Sequence, residues 1–160
     1  MRKLNNEELD RKSPEQFRAM EKLPIVVVLD NVRSAYNVGS VFRTADGFPI
    51  DAIYLCGITG HPPHKEIAKT ALGSTETVAW KYFKSTLDAI TELKDAGYKI
   101  YAIEQAEGSI ALGGPHPQPL SPERGEKQPL ALVFGHEVDG VQQAVIDVCD
   151  GCIEIPQGGT

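Results

Sequence analysis

The chain has 160 residues, 41% of them hydrophobic and 24% charged, with a formal net charge of −6 at neutral pH. That length makes one domain able to bury roughly 70% of its extended-chain surface without disulfide or metal staples, and no apolar run approaches the ~20 residues of a membrane span. The acidic sum excludes indiscriminate coating of nucleic acid, which needs many Lys and Arg on phosphates, and the opening Met1-Arg2-Lys3-Leu4-Asn5 lacks the apolar core of a secretory leader, so a cytoplasmic location is expected.

Residues 1–23 read as a helical lead, because Ser13-Pro14-Glu15-Gln16 combines a capping Ser, a Pro at the first helical position and a Gln three residues after the cap. Pro24 to Leu29 is a continuous, β-branched apolar run, the pattern of a strand covered on both faces and hence of a parallel sheet. Asn37 is expected to cap the next helix, whose Val38, Val41, Phe42 and Ala45 form one buried stripe and leave Arg43 on the opposite face. Gly39 offers a place for close ligand approach, and the first N–H groups of such a helix suit a phosphate. A short strand is expected at Ala52 to Cys56, then a helix from His64 to Leu72 with Ile67, Ala68 and Ala71 inward, and a strand at Val78 to Tyr82. Ser85 caps a helix to Ala96 with Leu87, Ile90 and Leu93 inward and Gly97 as its stop.

Lys99 to Glu104 and Leu130 to Phe134 read as strands. Between them, Gly113 to Gln128 holds too much Pro and Gly for helix or sheet and reads as an inserted loop. Solvated flexible chain is preferred there over a docking peptide at Pro119-Leu120-Ser121-Pro122. Asp139 with Gln142 can cap a helix from Gly140 to Val148, and Ile153 and Ile155 end the series. Strands alternating with helices predict an α/β fold with a mainly parallel sheet flanked by helices, whose ligands bind at the strands' carboxyl ends.

Residues 1–84 carry 12 basic and 10 acidic side chains and residues 85–160 carry 4 and 12, so the halves are +2 and −8. A basic face around Arg33, Arg43, Lys65 and Lys69 is able to meet RNA, with scattered solvated charge as the competing reading. The odd cysteine count, Cys56, Cys149 and Cys152, does not suggest a disulfide framework. Cys149-Asp150-Gly151-Cys152 has the spacing of zinc ligands, and His61-Pro62-Pro63-His64 offers two more. Two buried thiols flanking a turn explain the cysteines more simply, and no metal is expected.

Three segments then stand in order along the chain: Asn37-x-Gly39-x-x-x-Arg43-x-Ala45, the strand Leu130 to Phe134 followed by Gly135-x-Glu137-x-x-Gly140, and Ile153-Glu154-Ile155-Pro156-Gln157. Together they resemble the three motifs of the SpoU (TrmH-like) RNA 2′-O-ribose methyltransferases of the SPOUT superfamily, over residues 24–160. The resemblance implies a trefoil-knotted methyltransferase domain after the lead, S-adenosylmethionine as methyl donor, tRNA or rRNA as partner, and a homodimer. It implies catalytic roles for Arg43, Asn37 and Glu137, donor contacts around Ile103, Glu104, Gly135, Gly140, Ile155, Pro156 and Gln157, and RNA contacts from Asn31, Arg33, Arg43, Lys65 and Lys69. A guanidinium can stabilise the alkoxide developing on a ribose 2′-oxygen and hold the neighbouring phosphate. The competing readings are a surface Arg at position 43, a mere cap at Asn37 and a structural Glu137.

In the family the third motif continues into a Ser-Leu-Asn-like loop and a terminal helix that thread the knot, wall the donor pocket and build much of the dimer interface. This sequence ends at Gly158-Gly159-Thr160, so an incomplete knot, weak or absent donor binding and a weakened dimer are expected. The alternative function is a catalytically incomplete RNA-binding or dimerising remnant of such an enzyme. A nicotinamide-binding domain is disfavoured by the absence of G-x-G-x-x-G.

Overall fold

The computed structural model describes residues 2–5, 8–9, 12–113 and 128–157. In chain order the elements are α1 (Pro14–Ala19), β1 (Leu23–Asp30), α2 (Ala35–Gly47), β2 (Ile50–Cys56), α3 (Lys65–Ala71), a 3-10 turn (Ser74–Glu76), β3 (Trp80–Phe83), α4 (Thr86–Asp95), β4 (Lys99–Ile103), β5 (Ile110–Ala111), β6 (Leu130–Phe134), α5 (Gln143–Ile146) and β7 (Gly151–Glu154). The strands form one sheet in the order β3-β2-β1-β6-β4-β7-β5, and every pairing is parallel.

The apolar run of β1 is central because both of its faces are covered. Val26 and Val28 project to one side, where they meet Ile90 and Leu93 of α4, Ile100, Val133 and Val145. Leu29, with Ile25 and Val27, projects to the other, against Val38 and Phe42 of α2 and Ile67 of α3. This two-residue alternation is the strand's own period. Phe42 is fully buried, and its truncation to Ala would cost about 3–5 kcal/mol.

The capping box at Ser13 and Gln16 forms as the sequence indicates, and Phe17 of α1 enters the α2 side of the core. Lys22 closes that contact, its Nζ 3.2 Å above the Phe17 ring and donating to the Phe17 carbonyl at 2.6 Å. Gly97 has φ +84, which explains a glycine at the stop of α4.

Several expectations are corrected. Ser34, not Asn37, caps α2, because the loop after β1 is short and Ser34 takes the extended cap conformation; its Oγ accepts from Asn37 N at 3.2 Å. Leu87 is exposed, and Thr86 turns inward in its place. Ala68 is likewise exposed, so Ile67 and Ala71 alone form the buried face of α3. The helix expected over Gly140 to Val148 shrinks to α5, since Gly140 adopts φ +70 and Ala144 faces solvent. The short β5, unforeseen, pairs with β7. The inserted loop, Gly113 apart, lies outside the described residues until Gln128.

Cys149 stands in the turn before β7 and Cys152 within that strand; both are half-buried rather than buried, and pack on the α4 side of the core. Burial pushes the Cys149 thiol up to about 11, and it donates to the Val145 carbonyl at 3.2 Å. Among the described residues no three His, Cys, Asp or Glu side chains are grouped to hold a metal ion, and no helix is long and apolar enough to cross a membrane.

Candidate active site at the carboxyl ends of the strands

The sheet order sets the carboxyl ends of β1, β6, β4 and β7 side by side. β1 ends in Asp30, a fully buried carboxylate. It accepts from Thr86 Oγ1 at 2.6 Å, Asn31 Nδ2 at 2.9 Å, Gln142 N at 3.0 Å and Gln142 Nε2 at 3.3 Å. One side chain thus ties together β1, the start of α4 and the start of α5, and Thr86 points inward because Asp30 requires its hydroxyl. Sequence reasoning missed Asp30, although an acid closing an apolar strand is the available signal, since a buried carboxylate needs several donors.

Asn31 follows in the left-handed region, φ +56. Both ends of its amide are engaged, Nδ2 by Asp30 and Oδ1 by Ile58 N at 3.1 Å. A Cβ on Gly57 would fall well inside 3.0 Å of that amide. Thr59 completes the loop's support, accepting from Val32 N at 2.9 Å and donating to the Leu29 carbonyl at 3.1 Å. Asn31 is therefore held in the scaffold, while Arg33 is exposed.

Glu137 joins the first and second segments. Its carboxylate accepts from Arg33 N at 3.0 Å, Ser34 N at 2.9 Å and Asn37 Nδ2 at 2.9 Å. Burial pushes its pKa up, but the hydrogen bonds from Ser34, Arg33 and Asn37 outweigh that and hold it at about 2. The carboxylate also lies at the positive end of α2. Glu137 thus sets the protein's own anion on the two N–H groups just ahead of the helix, at Arg33 and Ser34, while Asn37 N in its first turn goes to Ser34 Oγ.

Gly39 has a different purpose from the one expected. A Cβ there would collide with Thr70 Oγ1 and the Ile67 carbonyl, so glycine permits α2 to pack against α3 and no ligand approaches it. Gly135 is also required by packing, and Gly140 by its φ of +70. A Cβ on Gly135 would strike the Gly140 backbone, and one on Gly140 the Glu104 carboxylate. His136 and Gly140 pair through two hydrogen bonds, each 2.9 Å, closing a tight hairpin that presents Glu137, Val138 and Asp139. His136 Nδ1 accepts from Val138 N at 3.1 Å and Asp139 N at 3.2 Å, which assigns the ring proton to Nε2 and makes the nearby Asp139 carboxylate, at 3.3 Å, a poor ion-pair partner for that nitrogen. Glu104 braces the hairpin, accepting from Val141 N at 2.9 Å and Gln105 N at 2.9 Å.

Between these loops opens a cleft of about 350 Å³ lined by Ile103, Glu104 and Phe134 to Gly140. Four of the expected donor contacts, Ile103, Glu104, Gly135 and Gly140, line it together. Ile155, Pro156 and Gln157 follow the adjacent strand β7 and are exposed, outside the cleft's lining. Arg43 stands apart. It is half-exposed, its one ion pair among the described residues is a 3.5 Å contact to Asp46, and it lines a second groove with Lys12, Phe17, Met20 and Asp46. Six residues separate it from Asn37, about 9 Å along the helix axis. Lys65 and Lys69 lie exposed on α3, with Lys69 Nζ 3.3 Å from the Tyr36 hydroxyl.

The SpoU rRNA Methylase family model matches residues 24–160. A Staphylococcus saprophyticus protein assigned to the TrmH family of tRNA/rRNA methyltransferases is 30% identical over 144 residues, 90% of this chain and 54% of that protein. A Staphylococcus haemolyticus protein of the same assignment is 29% identical, over 87% of this chain and 52% of its own length. Among solved structures, the AdoMet-bound rRNA methyltransferase from Sinorhizobium meliloti superposes with a TM-score of 0.73 at 27% identity, covering 93% of this chain and 53% of that one. The TrmH/SpoU tRNA modifying enzyme of A. aeolicus shares the fold with a TM-score of 0.72 at 22% identity, over 92% of this chain and 71% of that one. The chain spans about half the length of the curated relatives it matches. With the fold, the ordered motifs and the family match in agreement, the chain belongs to the SpoU rRNA methylase family.

Proposed function

We propose that the protein transfers a methyl group from S-adenosylmethionine to a ribose 2′-hydroxyl of tRNA or rRNA. The observation that carries the reading is the Glu137 clamp, which fixes Asn37 and the entry of α2 against the hairpin beside the cleft. The cleft suits the donor. Its volume falls at the small end of ligand sites, about 300–1,000 Å³, Ile103 and Phe134 supply apolar wall, and Glu104 is oriented by two backbone N–H groups. When bound, S-adenosylmethionine supplies an electrophilic methyl group on a sulfonium. No metal is needed for that displacement.

In this reading Arg43 stabilises charge on the 2′-oxygen and holds the adjacent phosphate; what supports it is a long, half-exposed contact to Asp46 that is readily exchanged for a phosphate. Asn37 is oriented by Glu137 to hydrogen-bond the ribose, and Arg33, Lys65 and Lys69 neutralise flanking phosphates. The reading includes a trefoil-knotted donor site with Ile155 to Gln157 as a wall, and a homodimer. Arg43 and the cleft lie in separate grooves of one chain, so the reading requires the homodimer to set Arg43 of one copy against the cleft of the other.

Titration calorimetry with S-adenosylmethionine tests the reading. Saturable binding is expected, and Gly140→Ala, whose new Cβ meets Glu104, is expected to weaken it at least about tenfold, the cost of a displaced binding group. Equal binding by the variant, or no binding by a chain extended through a complete third motif, would overturn the assignment of this cleft.

A further inference from the structure

The His61-Pro62-Pro63-His64 segment belongs to an aromatic cluster at the edge of the sheet. The His61 ring lies 6.0 Å from that of Trp80, with planes 19° from parallel, and 5.0 Å from the ring of Tyr82 at a 52° tilt. Trp80 and Tyr82 are two residues apart on β3 and so project from one face, and β3 is the outermost strand on its side of the sheet among the described residues. Both rings remain more than a third exposed. The Tyr82 hydroxyl donates to the Gly57 carbonyl at 2.9 Å, which fixes its ring.

Trp80 also walls a groove of about 620 Å³ with Pro62, Pro63, Lys65 and Ile67. Lys69 lies one helical turn beyond Lys65 on the same side of α3, its Nζ 5.7 Å from the centre of the Tyr36 ring. Tyr36 stands in the first turn of α2, next to Asn37. Aromatic rings and ammonium groups thus follow one another from the candidate active site to the sheet edge: Tyr36, Lys69, Lys65, Trp80, His61, Tyr82.

This pattern selects its occupant. An apolar protein surface would cover the rings but has no use for the two lysines, whereas single-stranded RNA uses both, stacking bases on rings and setting phosphates against ammonium groups. Glu76 also lines the groove, so attraction at the cluster itself comes from stacking more than from charge. We propose that this strip binds an unpaired RNA segment flanking the target nucleotide, with a base stacked on the Trp80, His61 and Tyr82 cluster and phosphates against Lys65 and Lys69. The proposal rests on the reading of the protein as an RNA-modifying enzyme.

Trp80 is the single tryptophan of the chain, so its fluorescence reports on this surface directly. An unpaired oligoribonucleotide of about ten nucleotides is expected to quench it by about half and to saturate, whereas an abasic ribose-phosphate oligomer of equal length leaves it unquenched. His61→Ala and Tyr82→Ala keep the reporter and are expected to weaken binding about tenfold, the effect of losing one stacked base. The melting temperature of His61→Ala and the S-adenosylmethionine titrations of both should stay unchanged, whereas Tyr82→Ala gives up the bond to the Gly57 carbonyl and melts a few degrees lower. Trp80→Phe, followed by anisotropy of labelled RNA, should retain most of the affinity that Trp80→Ala loses.

Trp80 emission that does not move on adding RNA, with or without binding elsewhere, overturns the proposal, as does equal quenching by the abasic oligomer. Emission that changes with protein concentration and not with RNA would instead make this face a contact between copies of the chain. Donor binding without RNA quenching would remove the stacking surface and leave the proposed function standing, and quenching without donor binding would do the reverse.

Discussion

Replacing Glu137 is expected to release the entry of α2 from the Gly135 to Gly140 hairpin. Its carboxylate takes three hydrogen bonds, at 3.0, 2.9 and 2.9 Å. Bonds to an ionised group contribute about 1.5–3 kcal/mol each when shielded from water. Glu137 is exposed, so solvent competition reduces their sum to about 1–2 kcal/mol. Glu137→Ala loses all of it, a fall of about 3–6 °C in Tm for a domain of this size. Glu137→Gln keeps an oxygen for Ser34 N and Asn37 Nδ2 but turns its amide on Arg33 N–H, so about half is lost. The pH dependence has a definite sign. The folded pKa, about 2, lies below the ordinary 4.5, so the contribution is present in full above about pH 4.5 and is lost as pH falls through about 2. Urea unfolding of wild type and Glu137→Ala should therefore differ most near neutrality and converge toward about pH 2. A difference below about 0.3 kcal/mol at neutral pH, or one that persists undiminished in acid, would refute the clamp.

Gly39→Ala should destabilise by about 1–3 kcal/mol despite alanine's better helix propensity, because its Cβ meets the Ile67 carbonyl across the helix pair; a higher urea midpoint would contradict this. Asp30→Asn keeps the shape and an oxygen for the Thr86 hydroxyl but sets its NH2 in place of Oδ2 against the Gln142 N–H, with an expected loss of about 2–3 kcal/mol and faster hydrogen exchange at Gln142. Unchanged stability would remove Asp30 from its joining role. Arg43→Ala should leave Tm within about 2 °C, since only an exposed ion pair is lost, yet reduce methyl transfer by about a hundredfold or more. Activity within tenfold of wild type would exclude Arg43 from the chemistry.

The strands and the three motifs were legible because they are local patterns: the apolar run of β1, the stripe of α2, the glycines around Glu137. What escaped depends on distant partners. Asn37 looks like a cap by spacing, yet Glu137, a hundred residues on, takes its amide while Ser34 caps. Gly39 looks like a ligand contact until α3 packs against it. Thr86 displaces Leu87 from the interior because of Asp30, and the same carboxylate holds Gln142, setting where α5 begins. The periodicity of residues 140–148 carries no trace of either demand.

The central claim is tested most directly by incubating the protein with methyl-labelled S-adenosylmethionine and tRNA or rRNA, then hydrolysing the RNA in alkali. A 2′-O-methyl group blocks cleavage at its own nucleotide, so the account predicts label in alkali-resistant dinucleotides, lost with Arg43→Ala. Label recovered in mononucleotides would place the methyl group on a base and contradict the account, as would no transfer at all by a protein that binds both donor and RNA.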